Sequence, residues 1–418
     1  MPIARIARLE AGDAALAALA IEGGTPVRTA PLPSWPHFAE DELDAVRRVL
    51  VSGRANYWTG TQCESFEREF AGYVGARHAI ALANGTVALE LALHALGIGE
   101  GDEVIVPARS FVASAGCVVL RGARPVFADV DAVSGNISAD TVRPVVTART
   151  RAIIAVHLAG WPCEMEPLMA LARSRNIRVI EDCAQSHGAA YRGRITGSFG
   201  DVAAFSFCQD KIMTTGGEGG MLVTNDELAW RRAWAYKDHG KSYDAVFKRK
   251  HPPGFRWLHE SFGTNWRMTE MQAAIGRRQL TKLPGWIATR RGYARLLDAE
   301  LAGVPGLTIH TPAPPTEHAY YKYYAFIDPA LLAPEWSRER IIAAINAEGV
   351  PCAEGSCSEI YLEQAFTDSK LGPATRLPAA RALGETSLML MVHPTLREHD
   401  VRETAYAVRK VMTAATGG

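Results

Sequence analysis

Short apolar runs alternate with segments of helical periodicity between residues 77 and 224 of this 418-residue chain. Runs such as 104–106 and 153–156 are apolar throughout, which is typical of parallel strands buried on both faces. The pattern predicts strands at 78–83, 103–106, 125–128, 152–157, 178–181, 202–207 and 221–224, and helices at 86–96, 110–120 and 164–173. This alternation predicts an α/β fold with a mostly parallel sheet covered by helices on both faces.

The chain changes character after this region. Residues 236–265 are polar, aromatic and proline-bearing, which predicts a long functional loop. Two helices are predicted next, at 269–280 with Thr269 as the N-cap and at 284–301. From residue 306 the pattern predicts a smaller α+β domain. We therefore expect three parts, namely an N-terminal leader (1–24), a large domain (25–280) and a small C-terminal domain (281–418).

Composition excludes several classes of protein. Lysine plus arginine equals aspartate plus glutamate, at 45 each, so no basic patch indicates a nucleic-acid partner. No apolar stretch is long enough to span a membrane, and charges interrupt any secretory core near the N-terminus. The seven cysteines are scattered and the twelve histidines lack ligand spacing. We expect a reduced, cytoplasmic protein without a metal site.

Lys211 is the residue that most directly suggests chemistry. It follows a predicted apolar strand and precedes the glycine-rich run 216–220. A rigid strand beside an open turn can hold an amine that condenses with an aldehyde cofactor. A solvated surface lysine is the commoner role, so the assignment depends on the other residues near the strand ends.

Two further motifs fall where predicted strands end. Residues 84–86 (NGT) join a strand to a helix, where glycine permits close backbone approach and the helix N-terminus can bind phosphate. Asp182 ends another strand, at the edge where open α/β sheets bind ligands. A carboxylate there can pair with a protonated pyridine nitrogen. A simple turn and a helix cap are the alternatives.

Three other side chains are candidates for cofactor binding only because they lie near the motifs above in the predicted fold. Gln185 can reach a ring hydroxyl, although a surface amide is the ordinary role. Phe111 can stack on a flat cofactor, although such an aromatic is more often in the core. Ser206 can donate a hydroxyl hydrogen bond to phosphate, although it also suits an ordinary strand.

These motifs together carry a family resemblance. The matching stretches are 84–89, 101–107, 181–185, 206–211, 219–220 and 265–268. The chain resembles the sugar aminotransferases of the fold-type I pyridoxal 5'-phosphate (PLP) enzymes, the DegT–StrS group, over residues 22–410. The resemblance implies the PLP-transferase fold, PLP as cofactor and transfer of an amino group.

The resemblance also implies roles for individual residues. Lys211 would form the imine with PLP, Asp182 would pair with the pyridine nitrogen and Gln185 would lie near the ring hydroxyl. Phe111 would stack on the ring. The phosphate would be held by Gly85, Thr86 and Ser206, and by Asn265 of a neighbouring subunit, which implies a homodimer with shared active sites.

The expected reaction moves nitrogen from glutamate or glutamine to a nucleotide-linked keto-sugar, in amino-sugar or polysaccharide biosynthesis. A sugar dehydratase is one alternative, but dehydratase relatives carry histidine in place of Lys211. A non-catalytic sensor of PLP or a nucleotide sugar is the other. Residues 208–210 (CQD) and 352–361 depart from the common family pattern, which leaves the substrate open.

Overall fold

The computed structural model describes residues 18–251, 253, 254 and 256–417, so most of the predicted leader lies outside the described residues. The strands are β1 His78–Leu82, β2 Glu103–Pro107, β3 Arg124–Ala128, β4 Thr150–Val156, β5 Arg178–Asp182, β6 Ala190–Tyr191, β7 Arg194–Ile195, β8 Val202–Ser206, β9 Gly220–Thr224, β10 Leu307–Thr308, β11 Thr316–Glu317, β12 Tyr323–Ile327, β13 Cys352–Ala353 and β14 Ser387–Leu390. The longer helices are Glu40–Ser52, Gln62–Val74, Gly85–Ala95, Ala113–Leu120, Met165–Ser174, Glu227–Tyr236, Glu270–Leu301, Arg338–Ala347, Pro378–Thr386 and Glu398–Ala415. Short α-helices lie at Ala139–Val142, Tyr243–Phe247 and Gln364–Asp368.

The central sheet of the described chain has the strand order β1-β9-β8-β5-β4-β2-β3. Strands β8, β5, β4, β2 and β3 pair in parallel, and β9 runs antiparallel between β1 and β8. The inner strands are buried along almost their whole length, as their continuous apolar runs predict. The mostly parallel sheet is confirmed. The apolar run of β9 did not reveal its direction, because a buried strand is equally apolar in either orientation.

A smaller antiparallel sheet lies toward the C-terminus, in the order β10-β12-β14-β13. Its apolar core includes residues of the helices Arg338–Ala347 and Glu398–Ala415. A three-stranded sheet, β11-β6-β7, joins residues near 190 to residues near 316. The predicted α+β character of the C-terminal part is confirmed.

One helix, Glu270–Leu301, replaces the two helices that the sequence predicts at 269–280 and 284–301. Thr269 is its N-cap, as predicted, and accepts a hydrogen bond from the Gln272 N–H. The predicted start of a second helix at Pro284 is wrong. A proline inside a helix removes one backbone hydrogen bond, but Leu283 and Ile287 on either side are buried. Packing of this stretch against the core keeps the helix continuous.

The same helix bears on the predicted domain division. Its first half, with Ala273 and Leu283, packs in a core with the central sheet, and its second half, with Leu297 and Leu301, packs in the core of the smaller sheet. Leu19 also packs in that smaller core. The predicted boundary after residue 280 thus falls inside a helix that both cores share, and the division at that point stays a prediction.

The predicted loop 236–265 is partly ordered by a short helix and by aromatic contacts. The predicted loop 236–265 contains the short helix Tyr243–Phe247, whose N-cap is Ser242. Its rings pack against Trp234 and Trp58, so part of the segment is anchored by aromatic contacts. None of the helices in the described ranges is both long enough and apolar enough to cross a bilayer.

Candidate active site

A cavity of about 890 Å³ lies at the carboxyl edge of the central sheet. The carboxyl ends of β1, β2, β5 and β8 open onto this edge, as ligand sites in open α/β sheets do. The sequence placed its candidate residues at these strand ends. Seven of them line this one cavity, namely Gly85, Thr86, Phe111, Asp182, Gln185, Ser206 and Lys211.

Gly85 begins the helix Gly85–Ala95 at a point of close packing. A Cβ on Gly85 would lie 2.6 Å from the Ser206 Cβ, so only glycine fits here. The Asn84 side chain caps the helix by accepting from the Val87 N–H at 3.0 Å. The helix N-terminus and the Ser206 hydroxyl therefore face the same part of the cavity, which suits an anion.

Asp182 is a buried carboxylate at the end of β5. The Ser114 hydroxyl donates to its Oδ2 at 2.8 Å and the Ala184 N–H donates to its Oδ1 at 3.1 Å. Burial raises the pKa of Asp182, and these two donors and the charge of Lys211 oppose that rise. A buried carboxylate with a raised pKa gains most from a cationic partner, such as a protonated ring nitrogen.

Lys211 lies against Tyr321 and Asp210. Its Nζ donates to Tyr321 Oη at 3.4 Å and lies 3.6 Å from Asp210 Oδ1. The Tyr321 hydroxyl in turn donates to the Asp210 carboxylate. Burial alone would raise the pKa of Asp210, but the charge of Lys211 and the Tyr321 hydroxyl hold it below its usual value. The lysine amine is thus fixed by a tyrosine–aspartate pair at the cavity wall.

Gln185 and Phe111 occupy different parts of the wall. The Gln185 Oε1 accepts from the Ala159 N–H at 2.7 Å, so its carboxamide oxygen is already engaged in the fold. Phe111 is 64% exposed although it lines the cavity, which leaves a ring face free for stacking. It precedes the helix Ala113–Leu120, which begins three residues later than predicted.

Asn265 does not line the cavity. It is exposed and forms a β-bridge with Asp238 in the segment before the long helix. The resemblance assigns it to the phosphate of a neighbouring subunit, and a position outside the chain's own cavity is compatible with that assignment. The role stays a prediction.

Four residues at the site were missed or left without a role by the sequence. Ser114 bonds Asp182, Asp210 and Tyr321 surround Lys211, and Lys322 lines the same cavity. Tyr321 and Lys322 immediately precede β12, in a run of aromatic residues that resembles a strand of the small sheet. No local signal links them to Lys211, because 110 positions separate Lys211 from Tyr321.

Two clusters in the described chain have metal-ligand atoms close together, one at His157, Glu181 and Cys183 and one near His399. The first is already bonded within the fold. Glu181 accepts N–H bonds from residues 197, 199 and 200 and lies 3.0 Å from His157 Nε2. That cluster connects β5 to the loop before β8, and the absence of a metal site stays a prediction.

Comparison with known proteins places the chain in a family. Residues 36–409 match the model of the DegT/DnrJ/EryC1/StrS aminotransferase family. The chain belongs to this family. Its members are PLP-dependent aminotransferases of fold type I, and the large parallel sheet with an additional small sheet agrees with that fold.

Individual relatives cover nearly the whole chain. An L-glutamine:2-deoxy-scyllo-inosose aminotransferase of Streptomyces kanamyceticus is 36% identical, over 94% of this chain and 96% of the relative. A UDP-N-acetyl-3-dehydro-alpha-D-glucosamine 3-aminotransferase of Acidithiobacillus ferrooxidans is 35% identical, over 90% and 96%. The solved aminotransferase from Psychrobacter cryohalolentis is 54% identical, with a TM-score of 0.90 over 92% of this chain and 100% of that chain.

Proposed function

We propose that this family member transfers the amino group of L-glutamine or L-glutamate to the ketone carbon of a nucleotide-linked keto-sugar. The observation that carries the proposal is the convergence of Lys211, Asp182 and the Gly85–Ser206 approach in one cavity. The relatives support the substrate class, because their names include a UDP-linked sugar acceptor and L-glutamine as donor.

The cavity residues fit PLP. The close approach of Gly85 to Ser206 leaves backbone and a hydroxyl for the phosphate, with Thr86 in the same turn. The buried Asp182 carboxylate has no cation bonded to it among the described side chains, and it suits a protonated pyridine nitrogen. When bound there, PLP supplies an electron sink and a carrier for the amino nitrogen.

The chain's own groups then perform distinct tasks. Asp182 holds a proton on the ring nitrogen, and Ser114 and the Ala184 N–H keep its carboxylate oriented. The amine of Lys211 would take the proton from the donor α-carbon and deliver it to the former aldehyde carbon of the cofactor. Asp210 and Tyr321 hold that amine on one side of the cavity. Phe111 restricts the ring to one plane.

Replacement of Tyr321 with phenylalanine tests the positioning of Lys211. Loss of one hydrogen bond to the amine is expected to lower kcat about tenfold. Asp210 keeps its access to water, since its side chain is 55% exposed, so the melting temperature should change little. Tyr323→Phe is the matched control, because the Tyr323 hydroxyl bonds Asp298 and not Lys211. Equal loss of kcat in both variants would contradict the assignment.

Replacement of Gly85 with alanine tests the phosphate site. The new Cβ would displace Ser206, so PLP affinity should fall about tenfold and unfolding free energy by about 1–3 kcal/mol. Gly116→Ala is the control, because a Cβ there meets nothing within 4 Å and alanine favours the helix. Titration of PLP by fluorescence measures the affinity. Unchanged affinity in Gly85→Ala would place the phosphate elsewhere.

The reaction itself is tested with donor labelled with heavy nitrogen at the α-amino group. The holoenzyme is incubated with labelled glutamine or glutamate and a panel of nucleotide-linked keto-sugars and free keto-cyclitols. A labelled amino product from a nucleotide-linked keto-sugar, detected by mass, supports the proposal, whereas labelled product from the free keto-cyclitols alone would contradict a nucleotide-linked acceptor. Conversion of the donor without any labelled product, or loss of water from the sugar, would overturn it.

The two alternatives find no support in the comparisons. Lys211 stands where dehydratase relatives carry histidine, and the relatives named above are aminotransferases.

We further propose a cytoplasmic homodimer in which Asn265 reaches the phosphate of the adjacent subunit. Asn265→Ala is a check on this arrangement, because mixed dimers with a Lys211→Ala subunit would regain activity only if active sites are shared.

A further inference from the structure

Lys322 is a half-buried cation in the wall of the active-site cavity. Its Nζ contacts the Met391 Sδ at 3.6 Å and lies 4.9 Å from the centre of the Tyr321 ring. It forms no ion pair with any carboxylate of the described residues. Burial lowers the pKa of Lys322, and the charges of Arg290 and Lys211 add to that lowering.

The charges around Lys322 are unbalanced. Lys211 and Arg290 both act on it as like charges, and Asp210 is the carboxylate that opposes them. Arg290 is buried, bonds the backbone carbonyl oxygens of Tyr320 and Val392, and has its pKa lowered to about 9 by burial. Lys322 thus experiences two like charges and one opposing carboxylate, and Tyr321 and Lys211 already engage that carboxylate. An incoming anion would correct this imbalance.

Lys322 and Lys211 lie on the same part of the cavity wall, and this favours one kind of anion. Each Nζ lies 4.9 Å from the centre of the Tyr321 ring, so the two lie within twice that distance of each other. Under the proposed function, Lys211 moves a proton at the α-carbon of the amino-acid donor. The α-carboxylate is bonded directly to that carbon, whereas the diphosphate of a sugar nucleotide is separated from the ketone by the sugar ring.

We propose that Lys322 binds the α-carboxylate of the amino-acid donor and sets the preference of this enzyme for α-amino acids. The charge-assisted hydrogen bond fixes the donor so that its α-hydrogen faces Lys211. The residue acts in the donor half of the reaction and in the return of the 2-oxo acid. It does not act on the acceptor. This inference rests on the proposed function for the identity of the donor.

The kinetic test compares Lys322→Met with Lys322→Arg in the holoenzyme. Methionine keeps the length of the side chain and removes the charge, so KM for glutamine and glutamate should rise about tenfold while kcat changes less. Arginine should restore most of the affinity. KM for the keto-sugar should not change. Lys248→Met is the control, because Lys248 is a surface residue in an exposed ion pair.

A binding test separates the inference from the activity. Calorimetry with glutarate, a non-reacting dicarboxylate, should show about tenfold weaker binding to Lys322→Met than to wild type, and near-normal binding to Lys322→Arg. UDP serves as the second probe. Weaker UDP binding with unchanged glutarate binding would assign Lys322 to the acceptor diphosphate and overturn the proposal, as would unchanged binding of both.

Stability separates recognition from a structural role. Removal of a partly buried ammonium without an acidic partner should leave the melting temperature unchanged or raise it. A lowered melting temperature with unchanged glutarate affinity would show that Lys322 only supports the fold. If wild type transfers no nitrogen but glutarate binding still depends on Lys322, the proposed function fails alone. If transfer proceeds and the KM for glutamine is unchanged in Lys322→Met, this inference fails alone.

Discussion

Lys211→Ala is expected to lower kcat/KM for amino transfer by at least about 10⁴-fold, because it removes both the attachment of the cofactor and the group that moves the proton. The Lys211 side chain is largely buried against Tyr321, with 17% of its surface exposed. Water cannot replace it at the same place, so residual activity should be very small. Steady-state transfer from labelled glutamine measures the loss.

A chemical experiment accompanies the kinetic one. Borohydride reduction of the wild-type holoenzyme should fix PLP to the peptide that contains Lys211, and the same treatment of Lys211→Ala should leave every peptide unmodified. Lys248→Ala is the control, since its amine pairs with Asp244 at the surface. A reduced adduct on another peptide, or normal turnover by Lys211→Ala, would refute the assigned role.

The sequence predicted the sheet well, because burial on both faces produces uninterrupted apolar runs. Each of the seven predicted strands matches one strand of the central sheet. The same logic located the site, since parallel strands open their carboxyl ends onto one edge. Gly85, Asp182 and Ser206 could be assigned to a common cavity without knowledge of any side-chain contact.

The sequence failed where long-range packing decides the result. Pro284 is a local helix-breaking signal, and burial of its neighbours overrides it. Tyr321 and Lys322 lie in an aromatic run just before β12 of the small sheet, and only long-range packing brings them to Lys211. Residue types and the family resemblance predicted residues that line one cavity, but the residues that contact Lys211 required the structure.

The contacts of Asp210 give a physical role to residues 208–210, where the sequence departs from the common family pattern. The sequence showed only that CQD replaces the proline-bearing tripeptide common among relatives. In the structure Asp210 accepts from Tyr321 and lies beside Lys211. A carboxylate directly before the lysine therefore compensates part of the positive charge that Lys322 and Arg290 add to this side of the cavity. Asp210, Lys211 and Lys322 therefore belong to one electrostatic arrangement.

Asp182→Asn is expected to keep PLP bound while lowering kcat/KM roughly 10²- to 5 × 10³-fold, which is the rate equivalent of losing a buried ion pair worth about 3–5 kcal/mol. Asparagine has the same shape, so its Oδ1 can still accept from the Ala184 N–H, and its Nδ2 can donate to Ser114 once that hydroxyl turns to accept. It lacks the charge that holds a proton on the ring nitrogen. Fluorescence titration of PLP and steady-state kinetics separate the two effects.

Asp182→Asn lowers the rate of the enzyme, but it should not lower the stability of the PLP-free protein. Burial raises the pKa of Asp182 above its usual value of 3.8, so the ionised group destabilises the fold increasingly as pH rises through that range. Asparagine does not ionise, and the PLP-free variant should melt at the same temperature as wild type or higher at pH 7. PLP should then raise the melting temperature of wild type more than that of the variant.

Asp201→Asn is the control for Asp182→Asn, because it should lower stability and leave the kinetics unchanged. Asp201 precedes β8, pairs with Arg178 at 2.7 Å and accepts from the Val179 N–H, at the edge of the sheet opposite the cavity. Its substitution should lower the melting temperature, because asparagine cannot accept from both Arg178 and the Val179 N–H. It should leave kcat/KM within about twofold of wild type, because Asp201 touches no substrate. A PLP-free Asp182→Asn that melts below wild type would make Asp182 a structural residue like Asp201. If Asp182 lowers the stability of the PLP-free protein and raises the rate of the PLP-bound enzyme, its role is to pair with the cationic ring nitrogen.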